Sequence, residues 1–228
     1  MFRRITSFLI FLFLLSITPG LHAASEYVAV VIKSRGQVTL IPKGKTRAIK
    51  VQKGQLLRDG DRLETGTASF CAIKFLDDKS LLRIKENSTC VIEGKKEGDK
   101  IDKNILVEVG SFFASIFKQR GKFLVTTPTS VASVKGTQFW TIQKRNGPTI
   151  YIGIEGSIDI SNEAGRVLLR AGQTGIVTSK NQLPQIRLTD PSEIPSEGEG
   201  SIKTQILEIE FQSPDGAQKT MRIEVIQK

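Results

Sequence analysis

Apolar, β-branched residues recur along this chain in short runs, broken by Gly, Asp, Asn and Pro at intervals of about ten residues. Tyr27 to Ile32 is the first such run, and Arg35-Gly36 turns it into Gln37-Val38-Thr39-Leu40-Ile41. Pro42 to Lys45 makes the next turn and Ala48 to Val51 the next short strand. Lys53-Gly54 then leads through Arg58-Asp59-Gly60-Asp61 to Leu63. This spacing predicts an all-β fold: a two-layer β-sandwich or β-roll, or a short solenoid of many short strands, with a C-terminal β-hairpin. Phe123 to Ile142 is rich in Val, Thr, Phe and Trp, but Pro128 cannot donate to a ladder and Gly136 interrupts the run. That stretch predicts strand, break, strand, bulge, strand.

In Phe70 to Leu76, Cys71, Ile73 and Phe75 share one face. A turn at Asp77-Asp78 pairs Ile73 with Leu82 and Cys71 with Ile84, which keeps apolar residues together. A second turn at Glu86-Asn87 would set Cys90 beside Ile84. The two Cys would then flank the middle strand of a meander, roughly 9–10 Å apart. A disulfide needs Cα atoms within about 7 Å. The register therefore favours two buried thiols, while an exported chain with an even Cys count favours a Cys71–Cys90 bridge. Both readings stand, with the bridge the less favoured.

Glu93 to Asn104 is charged and carries Gly94 and Gly98, the composition of a long exposed hairpin loop. The sheet resumes at Ile105 to Val109, followed by the aromatic run Gly110 to Phe117. Arg35-Gly36-Gln37-Val38 and Lys53-Gly54-Gln55 are echoed by Glu155-Gly156-Ser157-Ile158 and Ala171-Gly172-Gln173, a weak sign of repeated β-units. Leu183 to Ser201, with three Pro and several acidic residues, has linker composition. Ile202 to Phe211 and Thr220 to Ile226 alternate cleanly around Ser213-Pro214-Asp215-Gly216, as a hairpin does.

At the other end, Arg3 and Arg4 precede the apolar run Phe8 to Leu15, and Pro19-Gly20 precedes Leu21-His22-Ala23-Ala24. This is signal-peptide layout, and the apolar run is too short to prefer spanning a bilayer. The expected organisation is a signal peptide over 1–24, an all-β domain over 25–182, a linker over 183–201 and a hairpin extension over 202–228. The mature chain is expected in the periplasm or secreted, and not to span a membrane.

The formal charge is +10, dispersed along the chain. A basic surface on an exported protein suits acidic or anionic envelope partners, and export disfavours nucleic acid. His22 is the only His and falls in the leader, which removes His-dependent catalysis and His-containing metal sites from the mature chain. The remaining acid–base candidates are the pairs Asp59 with Asp61 and Asp77 with Asp78. Turn carboxylates of this kind are ordinarily solvated or bonded to local backbone. No catalytic residue, cofactor or metal is expected, and the chain is not read as an enzyme.

Gly60-Asp61-Arg62-Leu63-Glu64-Thr65-Gly66 with Ser69, Phe75-Leu76-Asp77-Asp78, Gly110-Ser111, Val125-Thr126-Thr127-Pro128-Thr129 and Val134-Lys135-Gly136-Thr137-Gln138-Phe139 stand in a characteristic order. Glu155-Gly156-Ser157-Ile158 and Ala171-Gly172-Gln173 close the series. Over roughly Val38 to Val177 the chain resembles the FecR family, in its periplasmic domain. It departs at Asp78, where the family usually has the Gly of an Asp-Gly turn. Full-length members resemble transmembrane regulators with a cytoplasmic part that controls a sigma factor. Here the domain follows the leader directly, so the resemblance implies only the periplasmic role, protein–protein recognition.

The expected function is that of a non-enzymatic, exported FecR-domain module for interaction, sensing or scaffolding in the cell envelope, with an envelope protein as partner. The alternative is a carbohydrate- or peptidoglycan-binding module taking a cell-wall glycan. For either, Phe112, Phe113, Trp140 and Tyr151 are the candidate interaction surface, with core packing as the competing reading. The loops at the Thr-Pro and Gly-Thr breaks are the next place to look.

Overall fold

A computed structural model of the chain describes residues 27–116, 118–196, 203–212 and 218–227. The leader, with His22, and the last part of the expected linker lie outside the described residues. The chain opens with β1 (Tyr27–Arg35), β2 (Val38–Ile41), β3 (Ile49–Lys50), β4 (Leu56–Arg58) and β5 (Asp61–Thr65). Then come β6 (Phe70–Phe75), β7 (Leu81–Ile84), β8 (Ser88–Glu97) and the long β9 (Lys100–Ser115). Next are β10 (Phe123–Thr126), β11 (Val131–Val134), β12 (Gln138–Gln143) and β13 (Thr149–Glu155). They lead to β14 (Ser157–Asn162), β15 (Gly165–Arg170), β16 (Gln173–Val177) and β17 (Gln185–Leu188).

These strands build two layers. One runs β4-β1-β6-β7-β9-β12-β13-β16-β17. The other runs β3-β2-β5-β8-β9-β10-β11-β14-β15. From β10 onward the chain places two strands in one layer, then two in the other, so it winds as a β-roll. Each layer turns alternate residues inward: Ile73, Phe75, Phe112, Phe139 and Tyr151 from the first meet Leu63, Ile92, Ile105, Phe123 and Ile158 from the second in one core. Period-two alternation, the feature the sequence displays most plainly, produces that core.

β9 belongs to both layers. Its first part pairs with β8 and, in parallel, with β10; its last part pairs with β7 and β12. The crossing occurs at Gly110, where φ is +112°. A Cβ there would stand 2.5 Å from the Ser88 Cα. Only glycine combines that backbone angle with so close an approach.

β6 and β7 pair as the alternation predicts, Cys71 with Ile84 and Ile73 with Leu82. The third strand of the expected meander does not follow. After Asn87 (φ +52°) the chain leaves for the opposite layer, where Cys90 pairs with Leu63, and it is β9 that pairs with β7. The expected exposed loop Glu93 to Asn104 is instead strand on both sides, with Ile101 and Lys103 buried. In the expected linker, β17 pairs with β16 from Gln173–Leu188 to Ile176–Gln185, and Pro191–Glu193 forms a 3-10 turn capped by Asp190. β18 (Lys203–Gln212) and β19 (Gln218–Gln227) make a separate antiparallel hairpin, as expected. Among the described residues no helix is long and apolar enough to cross a membrane.

Candidate interaction surface

The outer face of the second layer carries an open groove of about 670 Å³. Its floor is a row that crosses the strands at right angles. Lys50 pairs with Thr39, Thr39 with Glu64, Glu64 with Thr89, and Thr89 with Val109. Arg145, from the β12–β13 turn, closes the far end, and Asn146 supplies that turn with φ +51°. A second groove of about 410 Å³ shares Val109 and Arg145 and continues past Pro128, Thr129 and Gly147. Glu64 and Glu108 are both held by the Arg62 guanidinium. Lys50 and Arg145, at opposite ends of the floor, have no carboxylate partner among the described residues, so the groove is cationic at both ends. Neither residue stands out in the sequence.

The Thr-Pro break borders this surface and is rigid. Thr127, Thr129, Ser130, Gln143, Thr149 and Tyr151 form a buried hydroxyl–amide network. Thr149 Oγ1 donates to Gln143 Oε1 at 2.5 Å and lies 3.0 Å from Thr127 Oγ1, and Ser130 Oγ meets the Tyr151 hydroxyl at 3.1 Å. Satisfying these groups internally compensates their removal from water. The turn thus presents Pro128 at a fixed place. At the other break, Gly136 has φ +61° and open space beside it, a conformational requirement.

The four aromatics expected as a surface are not one. Phe112, Phe113, Trp140 and Tyr151 are all at or below 2% exposed. Phe112 and Tyr151 face the core, as alternation puts them there. Phe113 and Trp140 have the opposite parity and face outward, with ring centroids 5.2 Å apart. With Ile152 they make a second apolar cluster. They sit in another transverse row, Arg83–Phe113–Trp140–Ile152–Thr174–Arg187. The segment after β17 crosses that row. Thr189 Oγ1 meets Thr174 Oγ1 at 2.9 Å and Glu193 pairs with Arg187 at 2.6 Å. On the opposite side the Lys85 Nζ donates to the Ser196 carbonyl at 2.9 Å. This strap, which the sequence reads as linker, is tied on both sides of the row that holds the outward-facing aromatics. A glycan platform on these residues is thereby removed.

The carboxylate pairs separate in fate. Asp61 accepts from the Arg58 N–H at 2.8 Å, the local turn bond expected, while Asp59 pairs with exposed Lys43. Asp77 and Asp78 are not solvated. Their side chains are 3% and 0% exposed, and both hold Lys103 Nζ, itself 0% exposed, at 2.7 and 2.8 Å. The Ile101 and Arg120 carbonyls accept from the same Nζ at 3.0 and 2.9 Å. Burial pushes the Asp78 carboxyl up; hydrogen bonds from Lys103 and from the Ser80 and Arg120 N–H groups outweigh it and hold it below the usual carboxylate value. Positive φ in this turn falls on Lys79 (φ +63°), so Asp78 is not strained by replacing a glycine. The signal that could have found the cluster is strand parity: Lys103 lies two residues from both Ile101 and Ile105.

Cys71 and Cys90 are free and buried. Burial pushes the Cys71 thiol up to about 12 and raises Cys90 as well.

The two-layer β-roll thus presents a polar groove with Lys50 and Arg145 at its ends and encloses Phe112, Phe113, Trp140 and Tyr151. Residues 61–159 match the family described as FecR protein, a narrower span than the motifs suggested. Among solved structures it is similar to a candidate anti-sigma factor from Parabacteroides distasonis ATCC 8503, with TM-score 0.50 at 13% identity. A second crystal structure under that description gives 0.48 at 15% identity. Each likeness covers 58% of this chain and 61% of the other, so the chain spans about three fifths of their length. At that identity the likeness is one of fold. The comparison with curated proteins finds no match.

Proposed function

We propose that this chain is a non-enzymatic protein-recognition module of a signalling or sensing system, exported to the cell envelope, and that it docks an extended acidic polypeptide segment across the groove of the second layer. The FecR match supports the regulatory class. The leader-like residues 1–24 support export.

The observation that carries the docking mode is the transverse row with unpartnered Lys50 and Arg145 at its ends. Four strand spacings separate Lys50 from Val109, about 19 Å, which an extended chain covers in about six residues. Arg145 lies beyond Val109, so a segment with carboxylates spaced at least that far apart meets both cations while its backbone lies over Thr39, Glu64 and Thr89. Exposed charge pairs of this kind steer and orient more than they bind, so the middle of the segment supplies the rest.

A photo-reactive residue placed at Thr89 in the full chain, illuminated in the source cells, tests this. The expected result is a discrete protein adduct that is lost when Lys50→Glu and Arg145→Glu are combined. An adduct unaffected by the charge reversal, or adducts with glycan alone, would overturn the reading. N-terminal sequencing of the accumulated protein tests export: a start near Ser25 is expected, and retention of Met1 contradicts it.

A further inference from the structure

The Lys103 cluster plays no part in the groove, and its chemistry points elsewhere. One amine and two carboxyl groups are packed together away from solvent, among backbone polar groups and beside an aromatic ring. The Phe75 ring lies 5.6 Å from Lys103 Nζ and stacks edge-on against Phe123 at 5.8 Å. Buried ions are costly to desolvate, and here two anions face one cation, so the cluster holds an unbalanced charge. The two carboxyl groups are not equivalent. Asp78 is fixed at both oxygens, Oδ1 by the Ser80 N–H at 2.9 Å and Oδ2 by the Arg120 N–H at 3.1 Å as well as by Lys103. Asp77 is fixed at one. Its Oδ2 accepts from Lys103 Nζ and from the Ile101 N–H at 2.9 Å, while its Oδ1 is buried with no hydrogen-bond partner.

We propose that Lys103 and Asp77 join in an intramolecular isopeptide bond, with Asp78 carrying a proton. The step is a condensation. Lys103 passes one ammonium proton to the Asp77 carboxylate, and the freed amine attacks the carbon of the resulting neutral acid, giving up a second proton to Asp78 as the C–N bond forms. Charge developing on Oδ2 meets the Ile101 N–H, the position of an oxyanion-stabilising donor. The unpartnered Oδ1 is the leaving oxygen. It departs as water with two of the three ammonium protons, one of them returned by Asp78, and the third stays on the amide nitrogen. One C–N bond forms, one C–O bond breaks, and nothing is oxidised or reduced.

Two features favour this over a persisting ion cluster. Well-oriented neighbouring groups reach effective molarities on the order of 10⁵ M or more, Lys103 Nζ is held 2.7 Å from the Asp77 carboxyl, and the solvent-excluded site disfavours the returning water. The product also replaces a buried ion pair with a neutral amide, leaving Asp78 to its two backbone N–H groups and the new amide N–H. The bond would tie the turn after β6, in the first layer, to the arm of β9 in the second. That gives the β-roll a staple that reductants do not open, where its two thiols form none.

Peptide mapping of the full chain, purified and aged at neutral pH, decides the matter. Trypsin is expected to yield a branched peptide in which Phe75-Leu76-Asp77-Asp78-Lys79 is joined to the segment containing Ile101-Asp102-Lys103-Asn104. Its mass should be about 18 Da below the sum of the parts, one water lost. Lys103→Met and Asp77→Ala should show no branch, and Asp78→Asn a slower or absent one. Recovery of wild-type Lys103 only in unbranched peptides would overturn the proposal, whether or not the variants fold. So would a water-mass loss that persists in Lys103→Met, which marks a succinimide at an Asp. A branch at Asp78 would reverse the assigned roles.

Discussion

Gly110 is the residue on which the joining of the two layers depends, and Gly110→Ala gives the sharpest test of how β9 serves both. Two costs arise. A non-glycine residue at φ +112° is strained by about 1–3 kcal/mol. The added methyl would also stand 2.5 Å from the Ser88 Cα, with the Ser88 Cβ and Oγ nearer still. Ser88 cannot yield easily, because its N–H donates to Thr65 Oγ1 at 3.0 Å and its Oγ accepts from the Ser111 N–H at 3.1 Å. Overpacking of that kind adds about 1–3 kcal/mol. The sum, about 2–6 kcal/mol, is a large share of the roughly 5–15 kcal/mol that holds a domain folded. Gly98→Ala is the control: φ is +65° but no atom lies near, so about 1 kcal/mol is expected. Urea unfolding followed by the single Trp, buried Trp140, reads both variants. A Gly110→Ala loss no greater than that of Gly98→Ala would refute the account of the crossing.

Replacing Thr189 and Glu193 together by Ala should loosen the strap and raise quenching of Trp140 by acrylamide, while the urea midpoint moves by the equivalent of about 1–2 kcal/mol, since the ion pair is exposed and the hydroxyl contact is one part-buried hydrogen bond. Unchanged quenching would mean that something else covers Trp140. Cys71 and Tyr151 are held protonated by burial, each pushed up to about 12 from 9.0 and 10.0. The unfolded chain releases those protons first, so stability is full below about pH 9 and falls as pH rises towards 12. A urea midpoint flat from pH 8 to 11 would contradict this. The same burial predicts that neither thiol reacts with a disulfide reagent in the native protein and that both react once it is denatured; one or no thiol after denaturation without reductant would indicate a bridge.

Much of the architecture was legible because alternation is a local property. The pairing of Cys71 with Ile84 and Ile73 with Leu82 followed from keeping apolar residues on one face, as did the terminal hairpin. The motif order was legible too, and it led to the family matched over 61–159. The path after Asn87 was not. A period-two pattern satisfies either layer equally well, so Thr89 to Ile92 reads the same whether it pairs beside β7 or across the core beside β5. The aromatic surface failed for a related reason. The four aromatics were grouped by type, but the β9–β12 register puts Phe113 and Trp140 on the face opposite Phe112, and a chain segment tied across that face comes more than forty residues later.

By itself, the sequence determined that this is a β protein of short, turn-separated strands, that no histidine follows His22, and where its glycine-dependent turns fall. Those are consequences of side-chain period and of individual residues' chemical and conformational limits. Only the tertiary structure decided which strands share a layer, which polar residues are inside, and which charges go unanswered. Lys103 looks like one more charge in a polar stretch until the roll closes around it with Asp77 and Asp78. Lys50 and Arg145 look like ordinary surface cations until the four strands between them place them at the two ends of one groove. Both arrangements depend on strands brought together from distant parts of the chain, and no local pattern encodes that distance.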